Sequence, residues 1–396
     1  MTPKNGKKVL KICQVNSVVA EVYGGPSIGS VALNSKLREL GVDAVLYGTN
    51  LNGAPGSRIS SAEEERYRES GAVIELFEST WPSSMQNGRG FLRSLIRIGP
   101  DSDLFHLDGQ YQLPLIYGYF VARWFKVPYG IQAHGSLEPY QRAKSRLKKW
   151  IYGAVIGNRI LREATYVHFA SASEAERARD VVRPDQEVIV PLGASLPAEK
   201  ALSSLSNLFS ETERNERVLF LGRLTHKKRP DLLLEAWAQA TRSRNSVLII
   251  AGPDEDVTAA ELRRLASILG VAESVVFTGQ VTGPEKSWLY RNCGTFVLAS
   301  ENENFALTVG EAMLGGCHVI ASTGVAASEF LVLAESGRVL ADMNVRSLSN
   351  AVSEALANDD VTARSGRRAA AYADEHLSWR PLASALAEIA GRTRKA

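Results

Sequence analysis

Short apolar runs rich in β-branched residues alternate with amphipathic helical stretches along nearly the whole sequence. Residues 9–15, 44–47 and 104–107 have the composition of buried strands, and residues 27–40 have the periodicity of a helix between the first two. Strands that alternate with helices pair in parallel, because each helix carries the chain back across the sheet. The sequence therefore predicts an α/β fold with doubly wound parallel sheets that are covered by helices on both faces.

The alternation stops over residues 191–217, where Ala, Ser, Leu, Glu and Asn dominate, and then begins again. We interpret residues 196–216 as a linker between two Rossmann-like domains, 1–195 and 217–377. A chain of 396 residues is long enough for two such domains. The last helix, within 378–396, is expected to pack back on the first domain. The two sheets are expected to face a cleft, with ligands at the carboxyl ends of their strands.

Composition and charge exclude several classes of protein. Hydrophobic residues make up 45% and charged residues 22%, which is ordinary globular usage and excludes a disordered or fibrous chain. The net charge of +3 is too small to indicate nucleic-acid binding. Cys13, Cys293 and Cys317 are odd in number and far apart, so we expect neither disulfides nor a zinc site, and a cytoplasmic location. The best apolar stretch is broken by Arg123, well short of the ~20 residues of a membrane span.

A glycine pair, Gly24 and Gly25, follows the first strand and opens a helix. Glycines at such a turn let the backbone approach a ligand closely, and the amides of a helix N-terminus suit a phosphate. The dinucleotide fingerprint requires Gly-x-Gly-x-x-Gly and an acidic residue at the end of the second strand, but that strand ends at Tyr47-Gly48-Thr49. A Rossmann dehydrogenase is therefore disfavoured, and the pair is either a phosphate loop or a plain tight turn.

A basic turn, which begins at Gly222, joins the first strand of the second domain to its helix. It contains Arg223 and Lys228. Arginine offers a planar fork of donors and lysine a compact charge, and both suit phosphate oxygens. The turn predicts a phosphate cradle, with a solvated basic turn as the alternative.

Two carboxylates, Glu303 and Glu311, flank the next informative turn, one on the loop after a strand and one on the helix that follows. The backbone amides between them lie at the positive end of that helix, where a phosphate is stabilised. A carboxylate beside a phosphate needs hydrogen-bond donors of its own, and vicinal sugar hydroxyls supply them. The pattern predicts a nucleotide-sugar site, with helix capping by Glu303 and a surface position for Glu311 as the alternatives.

Together these motifs resemble the retaining glycosyltransferases of family 4, whose GT-B fold consists of two Rossmann-like domains. The resemblance runs from the glycine pair to the C-terminal helix. It rests on the Glu-x7-Glu spacing of Glu303 and Glu311, the Gly-Arg-x4-Lys pattern of Gly222, Arg223 and Lys228, the Ala-Gly-Pro-Asp motif at 251–254, the Val-Phe-Thr-Gly motif at 276–279, and a strand that leads into His134-Gly135. The chain departs from the commoner pattern at Ala306, often Gly, and at His318, often Pro.

The resemblance assigns a role to each candidate residue. It implies that Arg223 and Lys228 hold the donor diphosphate, that Glu303 binds hydroxyls of the transferred sugar and that Glu311 binds the ribose. It implies that amides of Asn304, Phe305, Ala306 and Leu307 complete these contacts. It also implies that His134 touches the sugar near the reacting carbon, and that Gly24 and Gly25 close over the phosphates and the acceptor. In this set His134 and Glu303 are the expected catalytic residues, and the others are the expected donor-binding residues.

The resemblance also implies an activity, namely transfer of a hexose from a nucleotide diphosphate sugar to an acceptor hydroxyl with retained configuration. The acceptor class it suggests is a saccharide or lipid-linked saccharide in the synthesis of bacterial surface polysaccharide, lipopolysaccharide or glycolipid. No divalent metal and no other cofactor is expected, because arginine, lysine and helix amides can neutralise the leaving diphosphate. Two alternatives stay open: an epimerase or phosphorylase of the same fold, and a non-catalytic nucleotide-sugar-binding subunit.

A basic segment between the two halves of the first domain leads into an aromatic residue. It consists of Arg142, Lys144, Arg146, Lys148, Lys149 and Trp150. Such a segment suits contact with an anionic membrane, which would place the protein at the inner face of the cytoplasmic membrane. A solvated helix beside the acceptor site is the equal alternative.

Overall fold

A computed structural model of the chain describes residues 9–54, 56–137, 152–197, 205, 208–243, 245–281 and 283–393. The chain divides into two compact units. The first is Met1–Gly193 with Trp379–Ala396, and the second is Ala194–Ser378. The division falls between Gly193 and Ala194, just before the linker expected over 196–216, and Phe209 near the end of that stretch is buried in the second unit against Trp288.

The first unit is built on a seven-stranded sheet in the order β3-β2-β1-β4-β5-β6-β7, with every neighbouring pair parallel. Its strands are β1 (Lys11–Val18), β2 (Asp43–Thr49), β3 (Ile74–Phe77), β4 (Leu104–Asp108), β5 (Tyr129–Gln132), β6 (Tyr166–Phe169) and β7 (Glu187–Ile189). Its helices are α1 (Gly25–Glu39), α2 (Ser61–Glu69), α3 (Phe91–Ile98), α4 (Leu113–Phe125), α5 (Asn158–Glu163) and α6 (Ala172–Ala178).

The second unit is built on a six-stranded parallel sheet in the order β10-β9-β8-β11-β12-β13. Its strands are β8 (Arg217–Leu221), β9 (Val247–Ala251), β10 (Val275–Gly279), β11 (Thr295–Leu298), β12 (His318–Ser322) and β13 (Arg338–Leu340). Its helices are α7 (Pro230–Gln239), α8 (Ala259–Ile268), α9 (Gly283–Asn292), α10 (Leu307–Leu314), α11 (Ser328–Leu333), α12 (Val345–Ala357) and α13 (Asp359–His376). A last helix, α14 (Trp379–Thr393), belongs to the first unit.

Both sheets reverse their strand order at one point, which confirms the doubly wound α/β class. The reversal lies between β1 and β4 in the first sheet and between β8 and β11 in the second. The strands at these points are buried along nearly their whole length, as expected where helices cover both faces of a sheet. The carboxyl ends of the strands at a reversal are where an open α/β sheet leaves room for a ligand.

The reversal in the second sheet depends on a close approach of two backbone segments. A Cβ added at Gly252, after β9, would lie 1.9 Å from the carbonyl oxygen of Gly222, after β8. Gly252 also has a φ of +142°, which favours glycine. A side chain at position 252 would therefore push the turn after β9 away from the basic turn after β8.

Helix α14 packs on α1 and β1 through Trp379, whose ring fits against two glycines. Added Cβ atoms would lie 2.9 Å from Cη2 of Trp379 at Gly29, and 2.4 Å from its Cγ at Gly193. The Trp379 side chain is almost completely buried. Helix α14 therefore closes part of the core of the first unit.

No helix among the described residues is long and apolar enough to cross a membrane. Cys13, Cys293 and Cys317 all lie in the described part of the chain, where they are buried and unpaired. Burial raises the pKa of each thiol, which keeps it protonated at neutral pH.

We predict that Trp379→Ala lowers the free energy of unfolding of the first unit by about 3–5 kcal/mol, because a large buried aromatic is lost and its cavity faces glycines that cannot fill it. Chemical denaturation monitored by circular dichroism measures the change. Trp124→Ala is the matched control, since Trp124 is 82% exposed in the same unit and its loss should change stability by less than about 0.5 kcal/mol. Equal effects of the two substitutions would contradict the packing of α14.

Candidate active site

The loop between β11 and α10 is fixed by backbone hydrogen bonds on both sides. The amide of Glu303 donates to the carbonyl of Gly324 at 2.9 Å, and its own carbonyl accepts from the amide of Ala326 at 3.1 Å. Two residues earlier, the amide of Glu301 donates to the carbonyl of Lys227 at 2.9 Å. These contacts hold the Glu303 loop between the basic turn after β8 and the turn after β12.

The Glu303 carboxylate pairs with the basic turn. Lys228 Nζ lies 2.7 Å from Glu303 Oε1, and Lys227 Nζ lies 3.8 Å from Oε2. Both partners of the closer pair are nearly buried, at 16% exposure for the glutamate side chain and 12% for the lysine. Burial on its own raises the pKa of Glu303, but the charges of Lys228 and Lys227 outweigh it and hold the pKa below its usual value. Glu303 is therefore ionised at neutral pH and can only accept hydrogen bonds.

Lys228 reaches Glu303 because Gly222 leaves room for its aliphatic chain. A Cβ added at Gly222 would lie 3.1 Å from Cδ of Lys228. Arg223, in contrast, is 57% exposed and its guanidinium lies 2.7 Å from Glu255 Oε1. The structure thus brings Lys228 to Glu303 and pairs Arg223 with Glu255, a partner that the sequence did not indicate.

Glu311 lies on α10 and is buried, which excludes the surface position considered for it. Its two oxygens accept from different donors on α9: Lys286 Nζ at 2.5 Å from Oε1, and Tyr290 Oη at 3.1 Å from Oε2. Burial raises the pKa of Tyr290 well above its usual value, and the nearby Glu311 charge adds to the shift, so the phenol keeps its proton to donate. Sequence reasoning missed both partners, although their spacing of four residues places them on one face of a helix.

Ala306 is the N-cap of α10 and has a φ of +63°, in the left-handed region that favours glycine. Glycine, which is often found at this position in the family that the chain resembles, would adopt this φ without steric cost, whereas alanine is strained there. The preceding Phe305 side chain anchors the loop in the core, with its ring centroid 5.7 Å from that of Phe330. The first turn of α10, from Leu307 onward, has backbone N–H groups without intrahelical acceptors, as every helix N-terminus does.

Two buried oxygens beside this turn lack a hydrogen-bond partner among the described residues. They are Asn304 Oδ1 and Thr308 Oγ1. A buried polar atom without a partner is costly, and such atoms collect where a ligand completes the structure. They lie on either side of the helix N-terminus that the sequence singled out.

In the first unit, His134 follows β5 and also has a positive φ, at +46°, with Gly135 after it at +73°. Its Nε2 atom lies 3.4 Å from Oδ1 of Asp108, at the end of β4. Asp108 is buried and also lies 3.4 Å from His106 Nε2, while Ser30 Oγ donates to its other oxygen at 3.1 Å. Burial raises the pKa of Asp108, but the imidazoles of His106 and His134 outweigh it, so the pKa lies well below its usual value.

Sequence reasoning missed Asp108, although it is the last residue of a strand at the reversal of the sheet. It stands directly opposite Asn16 of β1. Asn16 Nδ2 donates to Ser30 Oγ at 2.8 Å, and His106 contacts Tyr166 Oη at 2.7 Å through Nδ1. Asp108 is thus the charged centre of a buried polar network that ends at His134.

The glycine pair opens α1. Gly24 is the N-cap residue with a φ of +78°, and Gly25 is the first residue of the helix. A Cβ at Gly24 would meet no atom within 4 Å, so it is backbone conformation and not crowding that favours glycine there. His318 is the first residue of β12, where its Nδ1 lies 2.9 Å from Ser365 Oγ, away from the residues above.

Among the described residues no group of three or more His, Cys, Asp or Glu side chains could hold a metal ion. The expectation that the reaction needs no divalent metal stays a prediction. The basic segment of Arg142, Lys144, Arg146, Lys148, Lys149 and Trp150 lies outside the described residues.

Two family models match the chain. The model for glycosyl transferases group 1 matches residues 207–372, and the model for a glycosyl transferase 4-like domain matches residues 24–193. Together they span most of the chain, with the Glu303 site in one and the His134 site in the other. The chain belongs to the GT-B glycosyltransferases, and the match to a glycosyl transferase 4-like domain agrees with family 4, which the Glu303 and Glu311 motif resembles.

Relatives and solved structures agree with this assignment. The chain is similar to D-inositol 3-phosphate glycosyltransferase from Gordonia bronchialis, with 33% identity over 49% of this chain and 44% of that protein. It is similar to alpha-monoglucosyldiacylglycerol synthase from Streptococcus pneumoniae, with 25% identity over 59% of this chain and 55% of that protein. These matches span about half the length of the relatives. Among solved structures, HepE from Anabaena has the same fold, with a TM-score of 0.76 and 19% identity over 96% of this chain and 99% of that one.

We predict that Ala306→Gly raises the free energy of unfolding of the second unit by about 1 kcal/mol, because glycine adopts the left-handed conformation without the steric cost that alanine meets. Thermal unfolding should shift upward by roughly 2–4 °C. Ala371→Gly, on the exposed face of α13, is the matched control and should lower stability by about 1 kcal/mol. A loss of stability in both variants would contradict strain at Ala306.

We predict that Asp108→Asn lowers the stability of the first unit by roughly 2 kcal/mol at neutral pH, because charge-assisted contacts to two imidazoles and a hydroxyl are weakened. The pKa of Asp108 is depressed in the folded state, so its stabilising charge is present above the unfolded pKa of about 3.9 and is lost as the pH falls further. Denaturation of both proteins across a pH series should show the difference shrinking below pH ~4. A difference that is unchanged from pH 7 to pH 3 would contradict the assignment.

Proposed function

We propose that the protein is a retaining glycosyltransferase that moves a hexose from a nucleotide diphosphate sugar to a hydroxyl of a saccharide or lipid-linked saccharide. The observation that carries this proposal is the nearly buried pair of Lys228 and Glu303 beside the first turn of α10. A cation, an anion and free helix amides at one place can receive a ligand that contains both phosphates and hydroxyls.

The pair divides these two tasks between its members. Lys228 is a compact charge with little access to water, so it is preorganised to neutralise a phosphate oxygen. Glu303 is ionised, and when Lys228 turns to a phosphate the carboxylate can accept from hydroxyls of the sugar. Glu311 accepts from Lys286 and Tyr290, and each carboxylate oxygen has a further lone pair that a ribose hydroxyl can use.

The names of similar proteins support the donor and the acceptor class. HepE has been solved in complex with UDP and with UDP-glucose. Relatives include alpha-monoglucosyldiacylglycerol synthase and a lipopolysaccharide core mannosyltransferase from Rhizobium leguminosarum. We infer a nucleotide sugar as donor and the synthesis of a surface polysaccharide, lipopolysaccharide or glycolipid as the setting.

In the proposed reaction, the bond from the anomeric carbon to the diphosphate breaks, and a bond to the acceptor oxygen forms on the same face. The acceptor proton passes to the departing diphosphate, which Lys228 and Arg223 would keep in place. Glu303 and Glu311 bind hydroxyls and form no covalent intermediate, in contrast to the nucleophilic carboxylate of retaining glycoside hydrolases. His134, oriented by Asp108, would contact the sugar near the reacting carbon. No divalent ion is required, because lysine, arginine and amides supply the stabilising charge.

The proposal includes a cytoplasmic location, at the inner face of the membrane where the acceptor is lipid-linked. Three buried, unpaired thiols agree with a reducing compartment.

We predict that Lys228→Gln lowers kcat at least 100-fold, because one preorganised charge on the leaving group is lost. Arg223→Gln should cost about tenfold, since its guanidinium is more than half exposed and water screens its charge. Arg264→Gln, which removes an exposed charge from α8 in the same unit, is the control and should act like the wild type. Release of nucleoside diphosphate measures the rate, and a wild-type rate in Lys228→Gln would refute the assignment.

A thermal-shift screen against UDP, GDP and ADP sugars identifies the donor for the rate assay. The preferred donor raises the melting temperature by mass action. The anomeric configuration of the product, read by NMR, tests retention. An altered free sugar nucleotide would indicate an epimerase, phosphate-dependent cleavage a phosphorylase, and binding without turnover a non-catalytic subunit. Each of these outcomes would overturn the proposal.

A further inference from the structure

The outer surface of α3 and α4 exposes large apolar side chains that a water-facing surface rarely carries. Trp81, on the loop before α3, is 86% exposed, and Trp124, near the end of α4, is 82% exposed. Leu92 and Ile96 on α3 and Phe120 on α4 are exposed as well. We call these five residues the α3–α4 face. Scattered apolar residues need no explanation, but several together mark an interaction site.

The two helices lie side by side, which places these residues on one surface. A Cβ added at Gly99, just after α3, would lie 2.5 Å from the Phe125 ring and 2.9 Å from Val121 on α4. At the other end of α3, Tyr117 Oη of α4 donates to Asn87 Oδ1 at 3.2 Å. The helices therefore run in the same direction along the same side of the sheet.

The rotation of each helix places its exposed apolar residues on the shared outer surface. On α3, Phe91 and Leu95 are buried, and Ser94 donates to Glu75 of β3 at 2.6 Å, away from α4. Helical geometry then places Leu92 and Ile96 on the opposite flank, next to α4. On α4, Phe120 lies on the outermost line of the helix, and Trp124 lies between that line and the flank that contacts α3.

Trp81 joins the same surface through its loop. Asn87 Nδ2 donates to the Trp81 carbonyl at 3.0 Å, while the side-chain oxygen of Asn87 accepts from Tyr117. One asparagine thus connects the backbone at Trp81 to α4. The loop that carries Trp81 is therefore attached to the first half of α4.

The charge on the two helices is basic. Segments 79–100 and 109–127, which contain both helices, have five basic residues and no Asp or Glu, while Glu78, Asp101 and Asp103 lie in the adjoining loops. The five basic residues are Arg89, Arg93, Arg97, Arg123 and Lys126. The chain as a whole has 46 basic and 43 acidic residues, so the imbalance is local. Arg123 pairs with Glu163 of α5, and Arg97 is 73% exposed with Glu75 no closer than 3.8 Å, while Arg89, Arg93 and Lys126 are exposed.

We propose that the α3–α4 face docks on an anionic membrane surface, with Trp81 and Trp124 at the level of the lipid headgroups and the arginines of α3 on lipid phosphates. Exposed tryptophan beside arginine is the composition that the membrane interface favours. A second copy of the chain fits poorly, because a twofold interface would press five basic residues against the same five. This inference does not depend on the transfer reaction, and it concerns residues other than 142–150.

Flotation of the full chain with vesicles tests the proposal. Vesicles of equal parts phosphatidylglycerol and phosphatidylcholine in low salt should carry the protein upward, and vesicles of phosphatidylcholine alone should carry much less. Raising the salt concentration should weaken binding, because lipid and protein charges are screened. The double variant Leu92→Ser with Trp124→Ser should lower the partition coefficient at least tenfold. Ile268→Ser, at a 72% exposed position on α8, is the control and should change nothing.

Charge variants separate this face from the other basic segment. Arg93→Gln with Arg97→Gln should lower the partition coefficient about 25-fold, at roughly fivefold for each charge near the surface. Lys148→Gln with Lys149→Gln removes the same net charge from the segment that the sequence suggested, and should have a smaller effect. The substituted residues other than the two lysines are exposed. Melting temperatures measured for all variants check that each variant folds.

Four results would overturn the proposal. They are the absence of binding by the wild type to anionic vesicles, undiminished binding by the α3–α4 variants, a larger loss in the lysine pair than in the arginine pair, and a dimer in solution that the α3–α4 variants dissociate. Transfer to a small water-soluble acceptor should be unchanged in the α3–α4 variants. Failure of membrane docking is therefore distinguishable from failure of the transferase proposal.

Discussion

Parallel pairing of every strand is the constraint on which the rest of this structure depends. Parallel strands need helical crossovers, and the crossovers bury both faces of each sheet. At the edge formed by the carboxyl ends, the strands continue into loops that need not be buried. In the first unit Asp108 and His134 lie at that edge, and in the second unit Lys228 and Glu303 do. Charged groups that would be costly inside a sheet are thus gathered where each can find an opposite charge.

Backbone strain is also present at these edges. His134, Ala306 and Arg229, which follows Lys228 in the basic turn and caps α7, have left-handed φ values of +46°, +63° and +51°. Each stands where a loop turns sharply after a strand or into a helix. Such conformations cost of order 1–3 kcal/mol and persist only where the surroundings determine them. For Ala306 the surroundings include the buried Phe305 ring on one side and the paired Glu303 loop on the other.

Much of the fold could be predicted from the sequence, because central strands and crossover helices have strong periodicity. The predicted strands at 44–47 and 104–107 lie within β2 and β4, and the helix predicted at 27–40 matches α1 to within two residues. The strands that were missed, Ile74–Phe77 and Arg338–Leu340, are short edge strands of the two sheets, and a charged residue interrupts or begins each run. Edge strands are less buried, so their pattern is weaker. Among the candidate site residues, spacing singled out Glu303 and Glu311, whereas the partners Asp108, Glu255 and Lys286 depend on strand order and helix rotation, which local sequence does not record.

The return of α14 to the first unit has a consequence for how the protein is made. The chain leaves the first unit at Gly193, builds the whole second unit, and comes back at Trp379. During synthesis the ring that fills the space beside Gly29 and Gly193 therefore leaves the ribosome only after the whole second unit. Domains usually fold in the order of their synthesis. Here the unit that starts first is completed only after the second, so its core has an open side while the second unit is being made.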